Sequence, residues 1–126
     1  MVEANSVGEN EKAIKSRNDF FDSIDNKLFH IIIDDGDHKP ESQLKTFNNF
    51  VDKLHPNGVY IIEDIWDWDK HNKSCKCDIT GLQFIQQNIP ELEIINMNDR
   101  RGIYEDNILG VYCKNKLLYS HLFKKL

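Results

Sequence analysis

Apolar and polar positions change period several times along this chain, and the changes mark out its elements. From Asn10 to about Asn26, Ala13, Ile14, Phe20, Phe21 and Ile24 recur at roughly helical spacing, with Glu11 near the start and no proline. That pattern predicts a helix. "LFHIII" then forms a short continuous apolar run rich in β-branched side chains, the pattern of a strand covered on both faces, and it ends at Asp34. Pro40 suits a first helical turn, and Leu44, Phe47, Phe50, Val51 and Leu54 repeat at amphipathic spacing behind it. "HPNG", His55 to Gly58, breaks that period and closes the predicted helix. "VYII" follows as a second buried strand and runs into Glu63 and Asp64.

Beyond a predicted loop from Trp66 to Cys77, Ile79, Leu82, Ile85 and Ile89 share one side of another predicted helix, which Pro90 ends. "LEIINM" and "ILGVYCKN" read as strands on either side of the loop "RRGIYEDN", and "KLLYSHLF" reads as a last strand or a tail. The order belongs to the α/β class, with helices on the faces of a mostly parallel sheet. The chain, residues 1–126, reads as a single domain without internal repeats.

Composition narrows the function classes. With 40% hydrophobic and 29% charged residues, the chain has the balance of a soluble globular protein. Its net charge of −5 and scattered lysines give no nucleic-acid footprint, and no apolar run is long enough to span a bilayer. The N-terminus lacks the basic start and apolar stretch of a signal peptide, so a cytoplasmic location is expected. His71, Cys75 and Cys77 have a spacing that suits part of a metal site but no obvious fourth ligand, and a polar loop with incidental thiols explains them equally.

The chemistry concentrates at two strand ends. A right-handed strand–helix–strand crossover places consecutive strands in parallel, so both carboxyl ends open on one edge, where open α/β sheets bind ligands. Asp34, Asp35 and Asp37 leave the first strand there, and Glu63 and Asp64 leave the second. Converging carboxylates repel one another unless a cation or backbone N–H groups offset the charge. Oxygen ligands of this kind suit Mg²⁺, Mn²⁺ or Ca²⁺. His38, at the entrance to the following helix, can accept a proton near neutral pH. Acids at strand ends and a histidine before a helix also serve as capping and solvating groups, and spacing alone leaves both readings open.

The stretch "FHIIIDDGDHKPESQLKTFNNFVDKLHPNGVYIIEDI", Phe29 to Ile65, resembles the second half of a class I S-adenosylmethionine-dependent methyltransferase. It is most similar to the metal-dependent sugar O-methyltransferases of macrolide tailoring. That family has an "IDDGSH" strand end, a helix with a glutamine and a phenylalanine, a "PGG" turn and an "IED" strand end. The resemblance implies a partial Rossmann-like sheet with an antiparallel strand near the C-terminus. It further implies Asp35, Glu63 and Asp64 as Mg²⁺ ligands, and His38 as the base that deprotonates a hydroxyl of a small-molecule or sugar acceptor. "VGEN" resembles the family's "GDQ" stretch near the adenine, which makes Gly8, Glu9 and Asn10, with Asp34, the cofactor-side candidates.

Departures from the family limit what is inherited. Asp37 stands in place of a serine, "HPNG" in place of paired glycines, and "IWDWDK" in place of the family's continuation, so the acceptor pocket differs. No G-x-G occurs anywhere, and the glycine-rich turn that lets the backbone approach the cofactor has no counterpart. The chain therefore reads as the C-terminal half of the fold, with an incomplete S-adenosylmethionine site. It would need an N-terminal half, a second subunit or self-association to cover its sheet edge. A non-catalytic binding or scaffold module derived from the same fold is the alternative.

Overall fold

The computed structural model describes residues 7–67, 79–97 and 108–123. The His71, Cys75 and Cys77 grouping and the "RRGIYEDN" loop lie outside the described residues.

Helix α1 spans Glu11–Ser23 and starts where the Asn10 side chain accepts the Ala13 N–H at 2.8 Å. It buries Ala13, Arg17 and Phe21. Asp25 and Asn26, both at positive φ, turn the chain out of the helix and into strand β1, Phe29–Asp34. Helix α2, Pro40–Phe50, opens on proline and buries Pro40, Gln43 and Phe47. A 3-10 turn over Val51–Lys53 leads into strand β2, Leu54–Ile62. Helix α3, Gly81–Asn88, begins at a capping box in which Thr80 and Gln83 satisfy each other's backbone N–H groups. Strands β3, Glu93–Asn96, and β4, Ile108–Tyr112, follow, and helix α4, Lys116–Phe123, comes last.

The fold is mixed α/β, with one four-stranded sheet in the order β1-β2-β4-β3. β1 and β2 are parallel, and β4 runs antiparallel to both β2 and β3. This is the arrangement expected of a partial methyltransferase-like sheet. The core lies where α2 and α3 cover it: Phe47, Tyr60, Ile62, Ile85, Ile89 and Ile108 form one buried cluster with their neighbours.

Three local expectations are corrected. "HPNG" does not close a helix; it lies inside β2. Phe29 pairs with Leu54 and Ile31 with Val59, so two steps along β1 oppose five along β2, and the surplus forms a bulge that takes in Pro56, which has no N–H to pair. Gly58 is required there, because a Cβ would come within 2.9 Å of the carbonyl oxygens of both Phe29 and His30. "KLLYSHLF" is a helix, entered through an Asn115 side chain that accepts the Leu117 N–H at 3.0 Å.

Among the described residues β1 is not covered on both faces: it is an edge strand, and Ile31 and Ile33 are 64% and 57% exposed. Ile32 and Asp34 face the packed side. Among the described residues no helix is long and apolar enough to cross a membrane.

Candidate functional site

The ends of β1 and β2 are stitched together by the Glu63 N–H, which donates to the Asp34 carbonyl at 3.0 Å. That bond brings both acidic clusters to the same edge, as parallel topology requires. Beyond it the two segments turn sharply. His38 at φ 63° and Asp64 at φ 56° both occupy the left-handed region, which costs a residue with a Cβ about 1–2 kcal/mol. Such strain is retained where surrounding contacts over-determine it, and it concentrates at functional sites.

The two strained residues meet. His38 Nε2 lies 2.9 Å from Asp64 Oδ2 and 3.4 Å from Asp35 Oδ1. One ligand atom from each of Asp35, His38 and Asp64 falls within 4.8 Å of the others. The Asp64 carboxylate is largely buried, whereas the Asp35 carboxylate is open to solvent. The group thus has one enclosed wall and one exposed mouth. The two carboxylates suit a hard divalent cation, which takes one or two carboxylates and completes its shell with water or ligand oxygens, and the imidazole beside them is a group that can accept a proton.

The other sequence candidates take different places. Glu63 is half-buried and fixed through its backbone, and its carboxylate is not part of the three-residue group. Asp37 braces the turn into α2: its carboxylate accepts the Lys39 N–H at 3.0 Å and the Ser42 hydroxyl at 2.9 Å. Gly8, Glu9 and Asn10 sit at the start of α1. The Gly8 carbonyl accepts from Arg17, Glu9 pairs with Lys45 at 3.5 Å, and Asn10 caps the helix.

Asp34 is buried and is not part of the His38 group. Its Oδ1 accepts the Gly36 N–H at 3.1 Å, and its Oδ2 has no hydrogen-bond partner among the described residues. Burial, aided by the charges of Asp37 and Asp35, pushes its pKa above the usual carboxylate range against the opposing effects of the Gly36 N–H and His38. Asp34 lines a cavity of about 190 Å³ between Val7, the Gly36–Asp37 turn and the α2 residues Ser42, Gln43 and Thr46. Gln43 Oε1 is a second buried acceptor without a partner among the described residues.

Two residues of the site were not singled out from the sequence. Gln43 occupies a core-facing position of α2, between Pro40 and Phe47, and a polar residue on an otherwise apolar stripe is the signal that marks it. Tyr60 is fully buried in β2 behind the site; burial first, and the charge of Asp34 second, push its phenol pKa far up.

No family model matches this chain. Over 100 residues it is 28% identical to a demethylmacrocin O-methyltransferase of Streptomyces fradiae. The match takes in 72% of this chain and 25% of that protein. The similarity supports a methyltransferase relationship, and the chain spans about a quarter of the relative's length.

Proposed function

We propose that this chain carries the metal-binding and proton-accepting edge of an O-methyltransferase that uses S-adenosylmethionine and a divalent cation, Mg²⁺ by preference, to methylate a hydroxyl of a small molecule or sugar. The observation that carries the reading is the convergence of His38 on Asp64 and Asp35 at the carboxyl edge of a parallel strand pair. The similarity to an O-methyltransferase supports the same reading.

In this account Asp35 and Asp64 hold the cation, with Glu63, the neighbour of Asp64, as a further oxygen donor. A bound divalent cation makes an attached hydroxyl more acidic. His38, oriented by Asp64, takes the proton from the acceptor hydroxyl. S-adenosylmethionine would supply the methyl group, with the cavity lined by Val7, Asp34 and Gln43 on the cofactor side. The chain corresponds to the C-terminal half of a methyltransferase domain, and a further polypeptide segment pairs with the open edge of β1.

Calorimetric titration of Mg²⁺, alone and with S-adenosylmethionine present, tests the reading. Cation binding by the folded chain is expected. Absence of cation binding in both titrations, with the protein folded, would overturn it.

A further inference from the structure

Gln43 is only 2% exposed, and its Nε2 lies 3.0 Å from the Glu63 carbonyl and 3.5 Å from the Asp64 carbonyl. The orientation of the amide is set by chemistry. Turned over, it would place Oε1 against two carbonyl oxygens, with no donor between them.

These two carbonyls flank a single Cα, that of Asp64. The direction of the Glu63 carbonyl reports the φ of Asp64, and the direction of its own carbonyl reports ψ. A donor that holds both therefore holds the strained φ of 56° and, with it, the direction of the Asp64 side chain. That direction carries Oδ2 to within 2.9 Å of His38 Nε2. The left-handed geometry is unfavourable in isolation, so something must restrain it, and Gln43 reaches it from the neighbouring helix, 20 and 21 positions away in the chain.

We infer that Gln43 is a positioning residue: it clamps Asp64 in the left-handed conformation that aims its carboxylate at His38. Its Oε1 is buried without a partner among the described residues, and Gln43 is one of the residues that line the cavity beside Asp34. The clamp thus stands between that cavity and the His38 group. The consequence for cation binding rests on the function proposed above, whereas the His38–Asp64 pairing does not.

The test compares wild type with Gln43→Leu, which removes the donor at similar volume, and Gln43→Glu, which sets an oxygen against the two carbonyls. Three readings are taken on each: the cooperativity of thermal unfolding, the His38 ring ¹H–¹⁵N correlation without metal at a fixed pH, and Mn²⁺ affinity. At least one variant is expected to melt cooperatively, with the His38 signal moved to that of an unpaired imidazole and Mn²⁺ affinity lowered roughly 10–100-fold. A cooperative variant with the wild-type His38 signal overturns the inference. So does loss of cooperative melting in both variants, since Gln43 would then serve packing. If wild type binds no Mn²⁺ while the variants still shift the His38 signal, the clamp stands and the proposed function falls.

Discussion

His38 Nε2 and Asp64 Oδ2 are 2.9 Å apart, and both residues sit in the left-handed region of backbone space. Their contact joins the turn after β1 to the turn after β2, so each restrains the other. Replacing Asp64 with asparagine keeps the shape and removes the charge. Divalent-cation affinity is expected to fall at least about tenfold, or about 1.4 kcal/mol, in a Mn²⁺ titration followed by electron paramagnetic resonance. Unchanged affinity would remove Asp64 from the site.

Asp34 gives a prediction in pH. Its folded pKa is raised above 3.8 by burial, so between the unfolded and folded values the native state holds the extra proton. Stability present below the unfolded value is then lost as pH rises through the folded one. Asp34→Asn removes that loss. Urea denaturation of the variant should show a shallower decline from acid toward neutral pH than wild type, and identical slopes would contradict the assignment.

The Tyr60 hydroxyl is buried without a hydrogen-bond partner among the described residues. An unsatisfied buried hydroxyl costs free energy that its ring does not need to incur. Tyr60→Phe should leave stability unchanged or raise it by up to about 1 kcal/mol in chemical denaturation. A loss of more than about 1 kcal/mol would show that the hydroxyl has a partner.

Gly58 predicts the opposite sign. A methyl group there meets two backbone carbonyls of β1, which cannot rotate away as a side chain does. Gly58→Ala should destabilise the protein by about 1–3 kcal/mol in the same denaturation assay. A neutral effect would mean that the β2 bulge relaxes freely.

The edge strand leads to an association prediction. Ile31 and Ile33 stand exposed on a strand with one side unpaired among the described residues, a template for pairing with another chain. The isolated chain should show concentration-dependent association in sedimentation, reduced by Ile31→Lys with Ile33→Lys. A monomer at all concentrations would contradict it.

Much of this was legible in the sequence because two periods are strong here. The amphipathic repeat that carries Leu44, Phe47 and Phe50 located α2, and the apolar runs ending in acids located β1 and β2 together with their shared carboxyl edge. That Asp35, His38 and Asp64 lie together on that edge followed from parallel topology; the roles proposed for them come from the family resemblance. What stayed hidden depends on tertiary contact. The proline and glycine of "HPNG" signal a turn locally, but pairing with β1 makes them a bulge. The exposure of Ile31 and Ile33 depends on which strands exist beside them, which composition does not report. Gln43 was visible as a polar residue among apolar ones, yet its role required knowing that Asp64 adopts a left-handed conformation.

Asp35 and Asp64 are proposed to form a divalent-cation site beside His38. Calorimetric titration of Mg²⁺ into wild type and into the Asp35→Asn, Asp64→Asn double variant tests that site. Binding to wild type that disappears in a double variant of unchanged fold is the predicted result. Equal binding by the two proteins, or none by the folded wild type, would contradict the account.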